Sequence, residues 1–97
     1  LLDPVSIRQP VLVLDSRIFP NPAQDRAMLS LQLPETADVQ IRIISPAGHV
    51  VLEMPAQPFS SGQQQIAIDT QVLPVGMYFV HIQANEKTAV KKLLVQR

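Results

Sequence analysis

Two histidines, three of the five aspartates and a serine pair are the first candidates for catalysis or metal binding. His49 follows a Pro-Ala-Gly turn and His81 lies in an alternating segment, and neither has a carboxylate at a supporting interval. A general base or a metal centre needs several groups that converge on one point. We therefore expect both imidazoles to occupy surface positions without a chemical role.

The aspartates and the serines lie at turns, where their chemistry is structural. Asp25, Asp38 and Asp69 flank turns, in which aspartate hydrogen-bonds its own backbone, and no stretch offers the clustered oxygen ligands of a calcium loop. Ser60-Ser61-Gly62 lacks the strand-to-helix context of a nucleophile elbow. With three glycines the chain has no phosphate-binding loop. We expect no catalytic residue, no metal site and no cofactor, and we predict that the protein is not an enzyme.

The composition excludes several classes of function. A length of 97 residues suits one domain. Eight basic and eight acidic residues cancel, so nucleic acid is not an expected partner. We also expect no small-molecule ligand. No cysteine is present, which excludes disulfides but does not select a compartment. The chain begins with Leu1 rather than Met, so we expect it to be a piece of a longer protein.

The segment Leu73–Ile82 is the strongest strand signal, and the rest of the chain is organised around it. Tyr78, Val80 and Ile82 share one side of an alternating strand. The preceding Leu-Pro-Val-Gly favours a tight bend. A tyrosine after such a bend is similar to the tyrosine corner of immunoglobulin-like sandwiches, so we predict that Tyr78 is buried and that its hydroxyl bonds upstream backbone.

Turn signals divide the chain into seven candidate strands, which is typical of a sandwich or a small barrel. The strands are predicted near residues 11–14, 27–33, 39–43, 50–54, 64–68, 77–82 and 87–96. Residues 18–23 are expected to form a rigid bend, because Pro20 and Pro22 remove two ladder donors. Pro55 and Pro58 are expected to end a hairpin.

The turn at residues 45–49 predicts a three-residue hairpin loop in which Gly48 has left-handed backbone geometry. This register sets Ile43 opposite Val51 and Ile44 opposite Val50. Both faces of the hairpin then carry apolar side chains. Either other elements cover both faces, or one face contacts something outside the domain.

The closing segment has the one local charge bias. It carries Lys87, Lys91, Lys92 and Arg97 without an acidic residue. These lysines have two explanations: protection of an edge strand against aggregation, or recognition by a partner.

Five motifs in order resemble those of type IX secretion C-terminal sorting domains. They are Phe19-Pro20-Asn21-Pro22-Ala23 with Asp25; Val39-x-Ile41-x-Ile43 with Ala47-Gly48-His49-Val50-Val51; Ser61-Gly62 with Ile66-x-Ile68-Asp69; Leu73-Pro74-Val75-Gly76-Met77-Tyr78-Phe79-Val80-x-Ile82; and Lys91-Lys92-Leu93-Leu94-Val95. His49 stands where this family most often has arginine, which puts a contact that needs a permanent charge in doubt. The resemblance covers residues 18–97.

The resemblance implies an all-β fold, an immunoglobulin-like antiparallel β-sandwich of about seven strands over residues 18–97. Residues 1–17 are then a linker or an N-terminal arm. The motif residues with a structural role are Pro20, Asn21, Pro22, Gly48, Gly76 and Tyr78. The hypothesis for translocon recognition names Lys91, Lys92, Leu93, Leu94 and Val95.

The implied function is a sorting signal that directs an exported cargo, upstream in the same polypeptide, through the type IX outer-membrane translocon. Translocon and sortase proteins are the implied partners, and the route leads through the periplasm to the outer membrane, the cell surface or the medium. The alternative from another class is a structural or adhesive sandwich module without an export role. A carbohydrate-binding module is disfavoured because the chain has no Trp to stack on a sugar ring.

Overall fold

Seven strands and one short 3-10 helix make up the computed structural model, which describes residues 15–96. The strands are β1 (Asp15–Phe19), β2 (Arg26–Leu33), β3 (Ala37–Ile44), β4 (Val50–Phe59), β5 (Gly62–Asp69), β6 (Gly76–Ala84) and β7 (Lys87–Val95), and the 3-10 helix is Thr70–Val72. Among residues 15–96 there is no helix of the length and apolarity needed to cross a membrane.

Two antiparallel sheets enclose the core. One sheet has the order β1-β2-β5, and the other has the order β4-β3-β6-β7. Alternation places every second residue of each strand inside, and the sequence pattern follows that period closely in β2, β3 and β6. The predicted immunoglobulin-like β-sandwich of about seven strands is confirmed. The largest fully buried side chains are Leu29, Leu31, Leu33, Ile43, Ile68, Thr70, Val80, Ile82, Leu93 and Val95.

The first described strand differs in position from the first predicted one. The candidate at residues 11–14 and most of the arm at residues 1–17 lie outside the described residues. Strand β1 pairs with β2 from Asp15 to Phe19, so it crosses the predicted boundary between residues 17 and 18 and takes in the start of the expected bend. The division into arm and domain stays a prediction.

Strand β4 corrects the prediction that Pro55 and Pro58 end the hairpin. The strand continues through both prolines to Phe59. It lies at the edge of its sheet, where a residue without an N–H can be accommodated. Pro55 also lies in the interval where the register shifts, between the pairs Ile41–Met54 and Val39–Gln57. An edge position and a bulge are two of the settings in which strands tolerate proline.

The β3–β4 hairpin confirms one predicted pair and corrects the other. Ile44 lies opposite Val50, as predicted, but Ile43 lies opposite Leu52 instead of Val51. The register shifts by one residue between these pairs, so Val51 is the extra residue of a bulge. Leu52 consequently faces inward and packs against the core, while Val51 is exposed.

Candidate recognition surface

The closing motif in β7 is divided between the two faces of its sheet. Leu93 and Val95 point inward and are buried in the core. Lys91 lies on the same inward side and is half-buried, whereas Lys92 and Leu94 lie on the outer face, exposed and half-buried respectively. The predicted recognition residues are therefore not equally accessible. A partner that meets the folded domain can contact Lys92 and Leu94 directly, and Leu93 and Val95 cannot be reached without opening the core.

Asn21, from the opening motif, binds the free edge of β7. Its side-chain Nδ2 donates a hydrogen bond to the Lys92 carbonyl at 2.8 Å, and its Oδ1 accepts one from the Leu94 N–H at 3.0 Å. The amide thus supplies the donor and the acceptor that a neighbouring strand would supply. The peptide bonds before Pro20 and Pro22 on either side of Asn21 are both cis.

Ala23 continues this pairing with its backbone. Its N–H donates to the Leu94 carbonyl at 2.7 Å, and its carbonyl accepts from the Gln96 N–H at 2.8 Å, which forms a parallel bridge beside Val95. Ala23 is itself completely buried. We call Asn21 and Ala23, with their four hydrogen bonds to β7 and Gln96, the edge clamp.

The edge clamp limits how another chain could pair with β7. In an antiparallel strand, alternate residues direct their backbone groups away from the neighbouring strand. The clamp contacts identify Lys92 and Leu94 in β7, and Gln96 just after it, as such residues, so Thr88 and Val90 share this orientation. Within residues 15–96, no other segment hydrogen-bonds the outward backbone groups of Thr88 and Val90. Among residues 15–96, the unpaired part of the β7 edge is thus confined to the first half of the strand.

Tyr78 forms the corner where β6 begins. It is buried, and its hydroxyl donates a hydrogen bond of 2.6 Å to the carbonyl of Pro74, four residues upstream. This is the hydrogen bond that the sequence predicts. Leu73, just ahead of it, is also buried in the core. Gly76 opens the strand with a φ of +156°.

Gly48 closes the β3–β4 hairpin in the left-handed conformation, with a φ of +94°. Its N–H donates to the Ser45 carbonyl at 2.9 Å, and the Ser45 N–H donates to the His49 carbonyl at 2.8 Å. His49 also donates its own N–H to the Ser45 Oγ at 3.2 Å. The structure therefore uses the backbone of His49 in the turn, and its imidazole is part of no metal-binding cluster among the described residues.

Asn85 is a structural residue that the sequence analysis recognised only as part of a turn. It adopts a positive φ of 55° in the two-residue connection between β6 and β7. Its Oδ1 accepts from the Asp38 N–H at 3.3 Å, and its Nδ2 donates to the Thr36 carbonyl at 3.3 Å. It thus joins the β6–β7 turn to the β2–β3 turn. An Asn at a two-residue turn was the available signal, because Asn tolerates this backbone region.

The outer face of the four-stranded sheet carries a group of apolar side chains, which we call the outer apolar patch. Its members are Ile44, Val50, Met77, Phe79, Val90 and Leu94. Ile44 lies opposite both Val50 and Phe79, and Met77 lies opposite Leu94. Val50 and Val90 are each more than half exposed, at 52% and 54%. No element among residues 15–96 covers this face, and its side chains Val50, Met77 and Val90 are exposed.

Lys92 lies within the outer apolar patch. It is paired opposite Phe79, and Val90 and Leu94 flank it along the same face of β7. The charged pair Arg42–Glu53, with 3.0 Å between Nε and Oε2, lies on the same face and is the one ion pair among the described residues. Lys92 therefore has no carboxylate partner within residues 15–96.

Comparison with known proteins identifies one family. A family model described as a secretion system C-terminal sorting domain matches residues 17–96. A comparison with curated proteins found no match.

Proposed function

Since the chain belongs to the family of type IX secretion C-terminal sorting domains, we propose that it directs an exported cargo protein through the type IX outer-membrane translocon. The family is one of sorting signals and not of enzymes, and its members mark a cargo protein for export from the cell. In our proposal the cargo precedes this domain in the same polypeptide, passes through the periplasm, and is attached to the cell surface or released. Translocon and sortase proteins are the partners, and the domain itself performs no catalysis.

The observation that carries this proposal is the extent of the family match. It spans residues 17–96, which is nearly all of the described chain. The fold supports the same proposal, because the edge clamp brings the first motif of the family into contact with the last one. The two motifs are more than 70 residues apart in sequence.

We assign recognition to the closing motif in β7, with separate tasks for its residues. Leu93 and Val95 anchor the strand in the core, so their contribution is to hold the motif in place. Lys92 and Leu94 lie on the outer face and contact the translocon. Lys91 is half-buried on the inward side and adds positive charge that attracts an acidic surface.

A secretion assay tests this assignment. The full chain is fused behind a reporter enzyme in a host with this secretion system, and the rate at which the reporter reaches the surface or the medium is measured. We expect the double variant Lys91→Gln, Lys92→Gln to slow export. Its melting temperature should stay near that of the parent, because Lys92 is exposed, Lys91 is only half-buried, and substitutions outside the core change stability by only about 0.5 kcal/mol.

The control removes the same amount of charge elsewhere, with Arg17→Gln and Arg26→Gln in the other sheet. Export that is slowed equally by both double variants would show an effect of net charge and contradict recognition by β7. A parent fusion that stays in the periplasm would contradict the sorting function altogether and favour a structural or adhesive module.

A further inference from the structure

We propose that the outer apolar patch binds an apolar protein surface of the export machinery that places a carboxylate opposite Lys92. This inference rests on the proposed function and adds a surface and a partner chemistry to it. The residues concerned lie on three strands besides β7, so the contact extends beyond the closing motif to β3, β4 and β6.

Exposure of the patch is the first argument. The outer face changes character along the strands. The row through Gln40 is polar, and the row through Arg42 is polar except for Val90 at its end, while the rows through Ile44 and Met77 are apolar except for Lys92. Val50, Val90 and Met77 expose between 36% and 54% of their surface. Contiguous apolar side chains on one face, bordered by polar residues, are typical of a protein–protein contact.

The charge of Lys92 specifies the partner further. A lysine that is covered by an apolar surface loses hydration, and this cost is offset only if the partner supplies a carboxylate. Glu53 is the nearest acid by register on this face, and it is already bonded to Arg42 and to Gln40. The carboxylate must therefore come from the other molecule.

The same reasoning disfavours a second copy of this chain. A symmetric dimer through this face would bury two Lys92 side chains in one interface. The acids of this face are Glu53, which is paired with Arg42, and Asp38, which lies at the far end of β3 from Ile44. A self-contact would leave both charges uncompensated.

The position of the patch disfavours the upstream cargo as its occupant. The described chain starts at Asp15, which pairs with Gln32 near the turn from β2 into β3. The patch lies on the other sheet. Its residues Ile44, Met77 and Leu94 lie at the strand ends that are farthest from the β2–β3 turn. The patch is therefore on the other sheet and at the opposite end of the molecule from Asp15.

The test compares two matched pairs of exposed valines in the reporter fusion described above. Val50→Gln with Val90→Gln makes both sides of the patch polar, and we expect export to slow by about tenfold, because two exposed apolar contacts are lost together. Val72→Gln with Val75→Gln is the control, because these valines are 61% and 60% exposed and lie outside the four-stranded sheet. The control should be exported at the rate of the parent.

Charge variants test the carboxylate separately. Lys92→Glu should slow export by about tenfold or more, since it opposes two like charges, and Lys92→Arg should retain most of the rate. Lys87→Glu, at the far end of the same strand, should be nearly neutral. Each purified variant should melt at the temperature of the parent, and Lys92 is exposed, so its replacement does not endanger the fold.

The outcomes separate this inference from the proposed function. Failure of the parent fusion to leave the periplasm overturns both. A parent that is exported while the patch variants match it overturns only the docking surface. A purified chain that sediments as a dimer, and that the Val50→Gln, Val90→Gln variant converts to a monomer, overturns it in favour of a second copy.

Discussion

Tyr78 secures one corner of the sandwich through two separate contributions. Its ring is buried in the core between the sheets, and its hydroxyl donates a hydrogen bond to the Pro74 carbonyl. Both partners belong to one short segment, so the bond fixes the bend before β6 without involving any distant residue. Sequence reasoning could find this corner because its donor and acceptor are only four residues apart.

Substitutions at Tyr78 should separate the two contributions. Tyr78→Phe keeps the ring and loses one hydrogen bond, so unfolding in urea should show a free energy lower by about 1 kcal/mol. Tyr78→Ala also empties part of the core and should cost about 3 kcal/mol or more. Val72→Ala, at an exposed site, is the control and should change stability by less than about 0.5 kcal/mol. An unchanged urea midpoint for Tyr78→Ala would show that the corner is not central to the fold.

At the scale of elements, strands with regular alternation and the β3–β4 hairpin were predictable, but the order of the strands within each sheet was not. The periods of β2, β3 and β6 identify their buried sides directly, because each strand has one face in the core. Strand β4 is different. The sequence predicted that Pro55 and Pro58 end this strand, but an edge strand tolerates both prolines. The bulge at Val51 could not be predicted either, because no residue type near it requires a bulge.

The candidate site was predictable to a similar degree. The charge bias drew attention to β7, and the family motifs included Asn21. The contact between them was beyond sequence reasoning, because Asn21 and its partners Lys92 and Leu94 are separated by 71 and 73 residues. The sequence predicted only that both faces of the β3–β4 hairpin carry apolar side chains. Which face stays uncovered depends on the strand order, and the sequence does not reveal that order.

The edge clamp should be measurable by amide hydrogen exchange. Asn21→Ala removes the acceptor of the Leu94 N–H, so that amide should exchange faster, while the Leu93 amide, directed toward β6, should change less. The two lost hydrogen bonds are exposed, and we expect a loss of stability of about 1 kcal/mol. Gln24→Ala, at a nearby exposed amide side chain, is the control.

Asn21→Asp gives a sharper test of the same clamp. The carboxylate can still accept from the Leu94 N–H, but it has no donor for the Lys92 carbonyl and places a negative charge beside that oxygen. Protection of the Leu94 amide should therefore survive better than in Asn21→Ala. Equal exchange of this amide in the parent and in Asn21→Ala would show that the clamp does not protect the edge.

At the scale of the whole molecule, β7 is both the candidate signal and part of the core. Leu93 and Val95 lie between the two sheets, and the edge clamp joins the strand to the segment after β1. A domain of this size has a total stability of only about 5 to 10 kcal/mol. A signal placed on such a strand is present only when the domain is folded, so loss of the strand and loss of the fold are coupled.

Truncation after Ala89 should therefore unfold the domain. It removes Leu93 and Val95 from the core, and loss of a large buried aliphatic side chain costs about 2 to 5 kcal/mol. It also exposes the edge of β6, whose backbone groups from Gly76 to Val80 lose their partners. We expect the truncated chain to show no cooperative thermal transition by circular dichroism and to be digested rapidly by a protease. A truncated form that still melts cooperatively would contradict this account, and the truncation could then serve as a test of recognition.

If the truncated chain unfolds as expected, its failure in export carries no information about which surface is recognised. That question is then answered by Lys92→Glu and by the paired valine variants, because they alter the outer face while Leu93 and Val95 remain in the core.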